Sequence, residues 1–396
     1  MDQAAIPDLS DLNIFNFMII IPDEATAIRL CESYGLIPSR ESVEAMQVRC
    51  ECGRIMRIEN NQEYKLKWRL KCPAKSRRDR RSGRIIDSGC GKTMSPLKNT
   101  WFERSKLNIR QSLLLVFCFL VELPVKLVVS QANIDHKTVV DYYVFCREVC
   151  QKFNSRRIIG GPGLEVEIDE HWLYVPKYHR GRKMKTQMWV VGGICRGTRE
   201  LFLCVTGCKN LVRMHEIIRR HVEPLSFIHT DSNPSYNGVD EEFNNATGRG
   251  CNMAAHFTTN HRRWFTKNYE FVNPDTGENV VVGSWTNTIE RQWLELKKKV
   301  KSCRSFVDDE GRTKNHALLY VEEFVYRHNR LHSLTVGDQM NQFTRDLATI
   351  YHFTGEWQTL VVDGGGIVDY YSLDIELEES LDDAVAYAVA EFEANN

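Results

Sequence analysis

Three acids stand where their types and spacing could hold divalent metal. Asp169 closes the strand-like alternation of Val166-Glu167-Ile168-Asp169, and Asp231 closes a second apolar stretch, Phe227-Ile228-His229-Thr230-Asp231. Glu290 falls in the first turn of a helical segment beginning Asn287-Thr288-Ile289-Glu290. Acids at the ends of neighbouring strands converge, and a helix packed across that sheet edge can supply a third. Hard cations such as Mg2+ or Mn2+ favour such oxygen ligands, with water and substrate phosphate filling the remaining positions. Two ions so held can activate a water or a 3′-hydroxyl and stabilise the leaving oxygen of an in-line phosphoryl transfer. Spacing alone leaves a plainer reading open. Among 52 acids some fall at strand ends by chance, and a Glu at a helix start also favours the helix dipole.

A second group of chemistry-bearing residues lies further upstream. Cys50, Cys52, Cys72 and Cys90 form two half-sites that could bind structural zinc as a ribbon. One residue separates the first pair and seventeen the second, so four free thiols are an equal alternative on spacing. From Lys65 to Arg84 there are ten basic residues and one acid, and Arg77, Arg78, Arg80 and Arg81 sit between the last two candidate ligands. Dense positive charge suits phosphate contact through counterion release. A nuclear-import signal and a merely solvated loop fit the same residues.

Residues 124–143 read as two short helical segments joined by a turn at Asn133-Ile134-Asp135. As a DNA-binding helix-turn-helix, the pair would present His136, Lys137 and Thr138, with Tyr142 further along, to base edges in the major groove. An ordinary helical hairpin packed on a core fits equally well.

These residues need a scaffold, and the order of elements outlines one. After the breaker Gly160-Gly161-Pro162-Gly163, strand-like segments fall at 164–168, 187–195 and 201–206, helical periodicity at 211–222, and a short apolar strand at 226–229. A long irregular stretch precedes helices at 288–302 and 317–329. The pattern is α/β and compatible with an RNase H-like core, a mixed sheet with flanking helices, although other α/β layouts share it. Five segments follow: an N-terminal helical leader (1–45), a zinc-ribbon-like basic segment (46–100), a helix-turn-helix region (101–158), the α/β catalytic domain (159–352) and an acidic C-terminal tail (353–396).

The chain of 396 residues is 42% hydrophobic and 26% charged, with a formal net charge of zero that conceals an asymmetry. Residues 361–396 hold ten acids and no Lys or Arg; removing those ten leaves 42 acids against 52 bases, a formal +10 for the rest. A basic body with an acidic tail suits a nucleic-acid partner. The first basic residue is Arg29, so the apolar stretch 14–21 lacks the positive flank of a signal peptide, and the nine-residue run 113–121 is too short for a bilayer span. Thirteen cysteines in such a chain point to reduced thiols in an intracellular protein; Cys118, Cys146 and Cys150 read as core residues.

The surrounding sequence resembles the Merlin superfamily of DDE transposases and its bacterial insertion-sequence relatives over roughly residues 45–350. The likeness is carried, in the family's order, by Gly160-Gly161-Pro162-Gly163 with Glu167-Ile168-Asp169-Glu170, by Lys177-Tyr178-His179-Arg180-Gly181-Arg182, and by Trp189-Val190-Val191-Gly192-Gly193-Ile194 with Arg196-Gly197. It continues through Asp231 with Tyr236-Asn237, Thr259-Asn260-His261, Phe271-Val272-Asn273-Pro274-Asp275-Thr276-Gly277, and Thr286-Asn287-Thr288-Ile289-Glu290 with Trp293.

The resemblance implies that Asp169, Asp231 and Glu290 are the catalytic triad, holding two Mg2+ or Mn2+ ions per active site. It implies that Asn260 and His261 assist there, and that the cysteines bind zinc. The 58 residues between Asp231 and Glu290 exceed the family pattern, with the excess around 238–253, 262–270 and 280–285, where loop insertions cost little.

The implied activity is cut-and-paste transposition: metal-dependent strand cleavage at element ends and strand transfer into target DNA. The partners are double-stranded DNA, as terminal inverted repeats and target, and a homodimer or higher synaptic assembly; no membrane is expected. Lys297 and Lys298 could track the DNA backbone. The implied compartment is the nucleus in a eukaryote and otherwise the cytoplasm. The rival readings are a domesticated, sequence-specific DNA-binding protein that no longer moves DNA, and a nuclease of related fold with another substrate.

Overall fold

A computed structural model describes residues 6–73, 77–78, 85–87, 90–155, 157–172, 189–259, 266–272, 277, 279–300, 305–307, 313–315 and 317–357. Arg80, Arg81, Asn260, His261, the stretch 177–182 and all of the acidic tail beyond Trp357 lie outside them. Contacts divide the chain into one unit of Met1–Val149 with Ser333–Gly365 and another of Cys150–His332 with Gly366–Asn396.

In the first unit the helix Ile109–Leu120 is the central element, with nine of its twelve residues buried. Asn108 and Gln111 close a reciprocal capping box at its start, and the Glu24 carboxylate accepts the amides of Ile109 at 2.8 Å and Arg110 at 2.9 Å. Amide groups otherwise left over at the helix start are thereby satisfied. The helix Val336–Ile350 packs here, with Phe343 on Phe119 at 5.9 Å between ring centroids. Strands Arg57–Asn60, Trp68–Lys71 and Thr93–Met94 form an antiparallel sheet. Helices Val125–Ala132 and His136–Asn154 are joined by a short turn that Asn133 enters in the left-handed region, φ 52°. Cys118, Cys146 and Cys150 are buried, as expected of core thiols.

The second unit is mixed α/β, a mixed sheet flanked by helices. Its five strands lie in the order Ala255–Thr259, Phe227–Asp231, Glu165–Trp172, Trp189–Cys195, Leu201–Thr206. Trp189–Cys195 runs antiparallel to the strands on either side of it, and the first two strands run parallel to the central Glu165–Trp172. Alternation assigns the faces. Val166, Ile168, Val191 and Phe202 pack with Met214, Ile217 and Ile218 of the helix Leu211–His221. Val190, Ile194, Leu201 and Leu203 pack with Ile289, Trp293 and Leu296 of the helix Asn287–Val300 and with Val321 and Phe324 of the helix Ala317–Tyr326.

The stretch after Asp231 that reads as irregular contains more structure than its sequence signals. It holds the fifth sheet strand, Ala255–Thr259, and an antiparallel hairpin, Lys267–Val272 with Asn279–Ser284. The strand escapes notice because its residues are largely polar. His256 and Thr259 are satisfied in place, by the Thr230 hydroxyl at 2.8 Å and the Ser284 hydroxyl at 2.9 Å. Among the described residues no helix is long and apolar enough to cross a membrane.

Candidate functional site

Asp169 does not end its strand. Pairing continues through Glu170 to Trp172, so Asp169 sits in mid-strand opposite Gly192. The parallel register pairs Phe227 with Glu165 and His229 with Glu167, and Asp231 lies two residues beyond the last pair, at the end of the adjacent strand. Asp231 accepts the Asn233 amide at 2.9 Å. Burial, with the charges of Glu170 and Asp231 beside it, pushes the Asp169 carboxyl up to about 7, against the opposing hydrogen bond from Trp293. A buried carboxylate with like charges beside it is poorly satisfied without a cation.

Glu290 lies in the first turn of the helix Asn287–Val300 with its side chain exposed, accepting the Thr286 hydroxyl at 3.0 Å. The apolar stripe Ile289, Trp293, Leu296 and Val300 buries one face of this helix and fixes its rotation. A buried carboxylate that the sequence reading passed over holds its start. Glu167 accepts the amides of Thr288 at 2.8 Å and Ile289 at 3.1 Å and the Thr288 hydroxyl at 2.9 Å. Arg196 neutralises it at 2.9 Å and donates to the carbonyls of Gly283, also at 2.9 Å, and Trp285, at 2.8 Å. One ion pair therefore ties sheet, hairpin and helix start together. The signal was available: Glu167 alternates with core residues on the face that Asp169 occupies.

Glu170 braces the Asp231 side. Its carboxylate accepts from Asn233 at 2.7 Å, pairs with Lys209 at 3.1 Å and takes the Tyr236 hydroxyl. Burial and the Glu170, Asp169 and Asp231 charges hold the Tyr236 phenol well above its ordinary value, so it stays a proton donor.

Cys50, Cys52, Cys72 and Cys90 are brought together, their sulfurs all within 4.8 Å of one another. Cys50 and Cys90 are 3.3 Å apart, Cys52 and Cys72 3.5 Å. A zinc tetrahedron with Zn–S of about 2.3 Å has edges near 3.8 Å, so the set could hold zinc. The short Cys-x-Cys spacing works because the chain turns tightly there. The Gly53 amide donates to the Cys50 carbonyl at 2.7 Å, with Gly53 at φ 83°. Hydrogen bonds from the Arg54 amide and Cys72 lower the Cys52 thiol to about 7, while burial pushes the neighbouring Cys50 thiol up to about 12. This is the one group of three or more potential metal-ligating side chains gathered so closely among the described residues; the carboxylates are not drawn into such a cluster.

Of the expected DNA contacts, His136 and Lys137 are exposed and Thr138 half-buried at the start of their helix, where the Asp135 carboxylate accepts the Lys137 amide at 2.9 Å. Tyr142 is a correction. It is buried, bonded to the hydroxyls of Ser105 at 2.7 Å and Ser112 at 2.8 Å, and serves the core. Lys297 and Lys298 are exposed, Lys298 paired with Glu295 at 2.7 Å. Arg77 and Arg78 form a short strand paired with Ile85–Asp87.

No protein-family model and no curated protein matches this sequence, so neither comparison adds support to the resemblance drawn from its motifs. Among solved structures, a chain of the simian T-cell lymphotropic virus intasome in complex with PP2A regulatory subunit B56 gamma is distantly similar. It shares 11% identity, covers 56% of this chain and 70% of its own, and gives a TM-score of 0.26. A likeness at that score decides neither fold nor function.

Proposed function

We propose that the chain is a DDE-type DNA transposase of the Merlin type, with an RNase H-like core, a zinc ribbon and a DNA-binding helix-turn-helix. The observation that carries the reading is Asp169 on the central strand with Asp231 at the end of the adjacent parallel strand, close enough that its charge acts on Asp169. Three antiparallel strands followed by two parallel ones is the layout expected of an RNase H-like sheet. The donor set fits Mg2+ or Mn2+: the oxygens are hard, and the repulsion that Asp231 and Glu170 impose on Asp169 is what a cation would relieve.

Bound there, two such ions would supply Lewis-acid activation of a nucleophile and stabilisation of the leaving oxygen. Asp169, Asp231 and Glu290 would hold them. The Thr286 hydroxyl orients Glu290, Glu167 holds the helix start, and Glu170 with Asn233 fixes the turn after Asp231. Lys297 and Lys298 would run along DNA phosphates, Asn260 and His261 would assist, and a synaptic dimer or larger assembly would join two element ends.

The test is strand cleavage, with Mg2+ and with Mn2+, of duplexes carrying the DNA that flanks the gene on either side. Asp169→Asn, Asp231→Asn and Glu290→Gln should each abolish cleavage and leave DNA binding intact. A variant that keeps near wild-type rate removes its residue from the triad. Wild-type protein that binds these duplexes and cleaves them with neither metal is a DNA-binding protein only.

A further inference from the structure

We infer that Trp293 is a positioning residue for Asp169, its indole N–H fixing the orientation in which that carboxylate meets a divalent cation. The inference rests on the reading of Asp169 as a metal ligand. The indole Nε1–H donates to Asp169 Oδ2 at 2.7 Å, and Trp293 is 4% exposed. A buried indole N–H needs an acceptor and a buried carboxylate needs donors, so each satisfies the other.

The indole is held in this place from two further directions. Gly192, opposite Asp169, leaves the room: a Cβ there would lie 2.5 Å from Trp293 Cη2 and 2.6 Å from Leu203 Cδ2. His171, two residues after Asp169 and on the same strand face, stacks on the indole with centroids 5.6 Å apart and planes 19° from parallel. Trp293 also follows Glu290 by three residues, so both sit on neighbouring turns of one helix side. Seating this indole therefore sets the Asp169 carboxylate and the rotation of the helix that carries Glu290. Groups that orient a metal ligand in this way are worth about 10- to 100-fold in metal affinity.

The experiment is Mn2+ titration of the full chain without DNA, followed by electron paramagnetic resonance, with thermal melting alongside. Trp293→Phe keeps the ring and removes the N–H. It should bind Mn2+ at least about tenfold more weakly than wild type under conditions where melting shows it folded, whereas Asp169→Asn should lose this binding. Wild-type affinity in Trp293→Phe, with binding lost in Asp169→Asn, overturns the inference and leaves the metal site standing. Wild-type protein that binds no Mn2+, or Asp169→Asn that binds it normally, overturns the site reading and the inference with it. Should Trp293→Phe fail to fold, the eight indole signals of 15N-labelled wild-type protein and Asp169→Asn give the answer. One signal that moves both with the substitution and with Mg2+ supports the inference; none that responds to both overturns it.

Discussion

The carboxylate of Glu167, on the central strand, accepts the backbone amide of Thr288 at 2.8 Å and so caps the Glu290 helix from across the sheet. A helix start leaves amide groups unsatisfied, and a local Ser, Thr or Asp usually takes them. Here the acceptor is 121 residues away in sequence, fully buried, and balanced by Arg196 at 2.9 Å. Removing Glu167 leaves the buried amides of Thr288 and Ile289 without their acceptor, while Arg196 keeps its ion pair with Glu165. Glu167→Ala should therefore cost about 2–3 kcal/mol of stability, the scale of buried donors left unsatisfied, and Glu167→Gln less because it keeps an acceptor. Urea unfolding measures both, and a Glu167→Ala protein within about 1 kcal/mol of wild type would show that the cap carries little.

What the sequence conveyed follows from how local each signal is. The helix around Glu290 is legible because Ile289, Trp293, Leu296 and Val300 repeat at helical spacing, and Asp231 because a short strand-like stretch opening on Phe227 and Ile228 runs up to it. The strand after Asp169 is not, since His171 and Trp172 look like the start of a loop; only their pairing with Val190 and Trp189 extends it. The role of Glu167 is not read from its strand because the helix start that it caps comes from 121 residues further along. Tyr142 reads as a base contact because its helix start is polar, while the serines that bury its hydroxyl lie on other segments. The cysteine spacing misleads for the converse reason: Gly53 bends the chain more sharply than one intervening residue suggests.

Zinc content follows from the cysteine geometry. Purified protein should contain about one zinc per chain, lost when Cys72 and Cys90 are both changed to Ser. Stripping the metal with a chelator should lower the melting temperature of the wild-type protein, because ligand binding to the folded state adds directly to its stability. Unchanged zinc in the double variant would show that the four thiols are not its ligands.

The strain at Asp169 has its own signature. Its charge is opposed by burial, Glu170 and Asp231, so in the metal-free protein Asp169→Asn removes a repulsion while Trp293 keeps an oxygen acceptor. The variant should be more stable than wild type without divalent metal, by on the order of 1–2 kcal/mol, the usual scale of stability recovered at a strained functional site, and so melt higher. Added Mg2+ should close that gap by stabilising wild type alone. A variant that melts lower under both conditions would mean that the carboxylate contributes to the fold more than it costs.

DNA contacts of two kinds should separate by their response to salt. Lys137 is exposed at the start of the helix His136–Asn154, the position from which side chains reach base edges in a helix-turn-helix, and Thr138 follows it half-buried. The arginines at 77, 78, 80 and 81 offer dense positive charge in the sequence. Duplexes selected by the wild-type protein from a random library supply the preferred sequence, and shuffled duplexes supply the reference. Replacing Lys137 and Thr138 by Ala should reduce the preference by about 1–3 kcal/mol with binding to shuffled DNA little changed. Neutralising the four arginines should weaken binding to both duplexes alike and flatten the plot of log affinity against log salt by up to about 0.9 per lost phosphate contact. Zinc content is checked in each variant, so that disruption of the four-cysteine cluster is not mistaken for a lost contact. If the arginine variant loses only preference while the helix variant keeps it, the two roles are exchanged. If neither variant changes binding, the helices are packing elements, the basic stretch serves another purpose such as nuclear import, and the DNA path runs elsewhere, with Lys297 and Lys298 the next residues to neutralise.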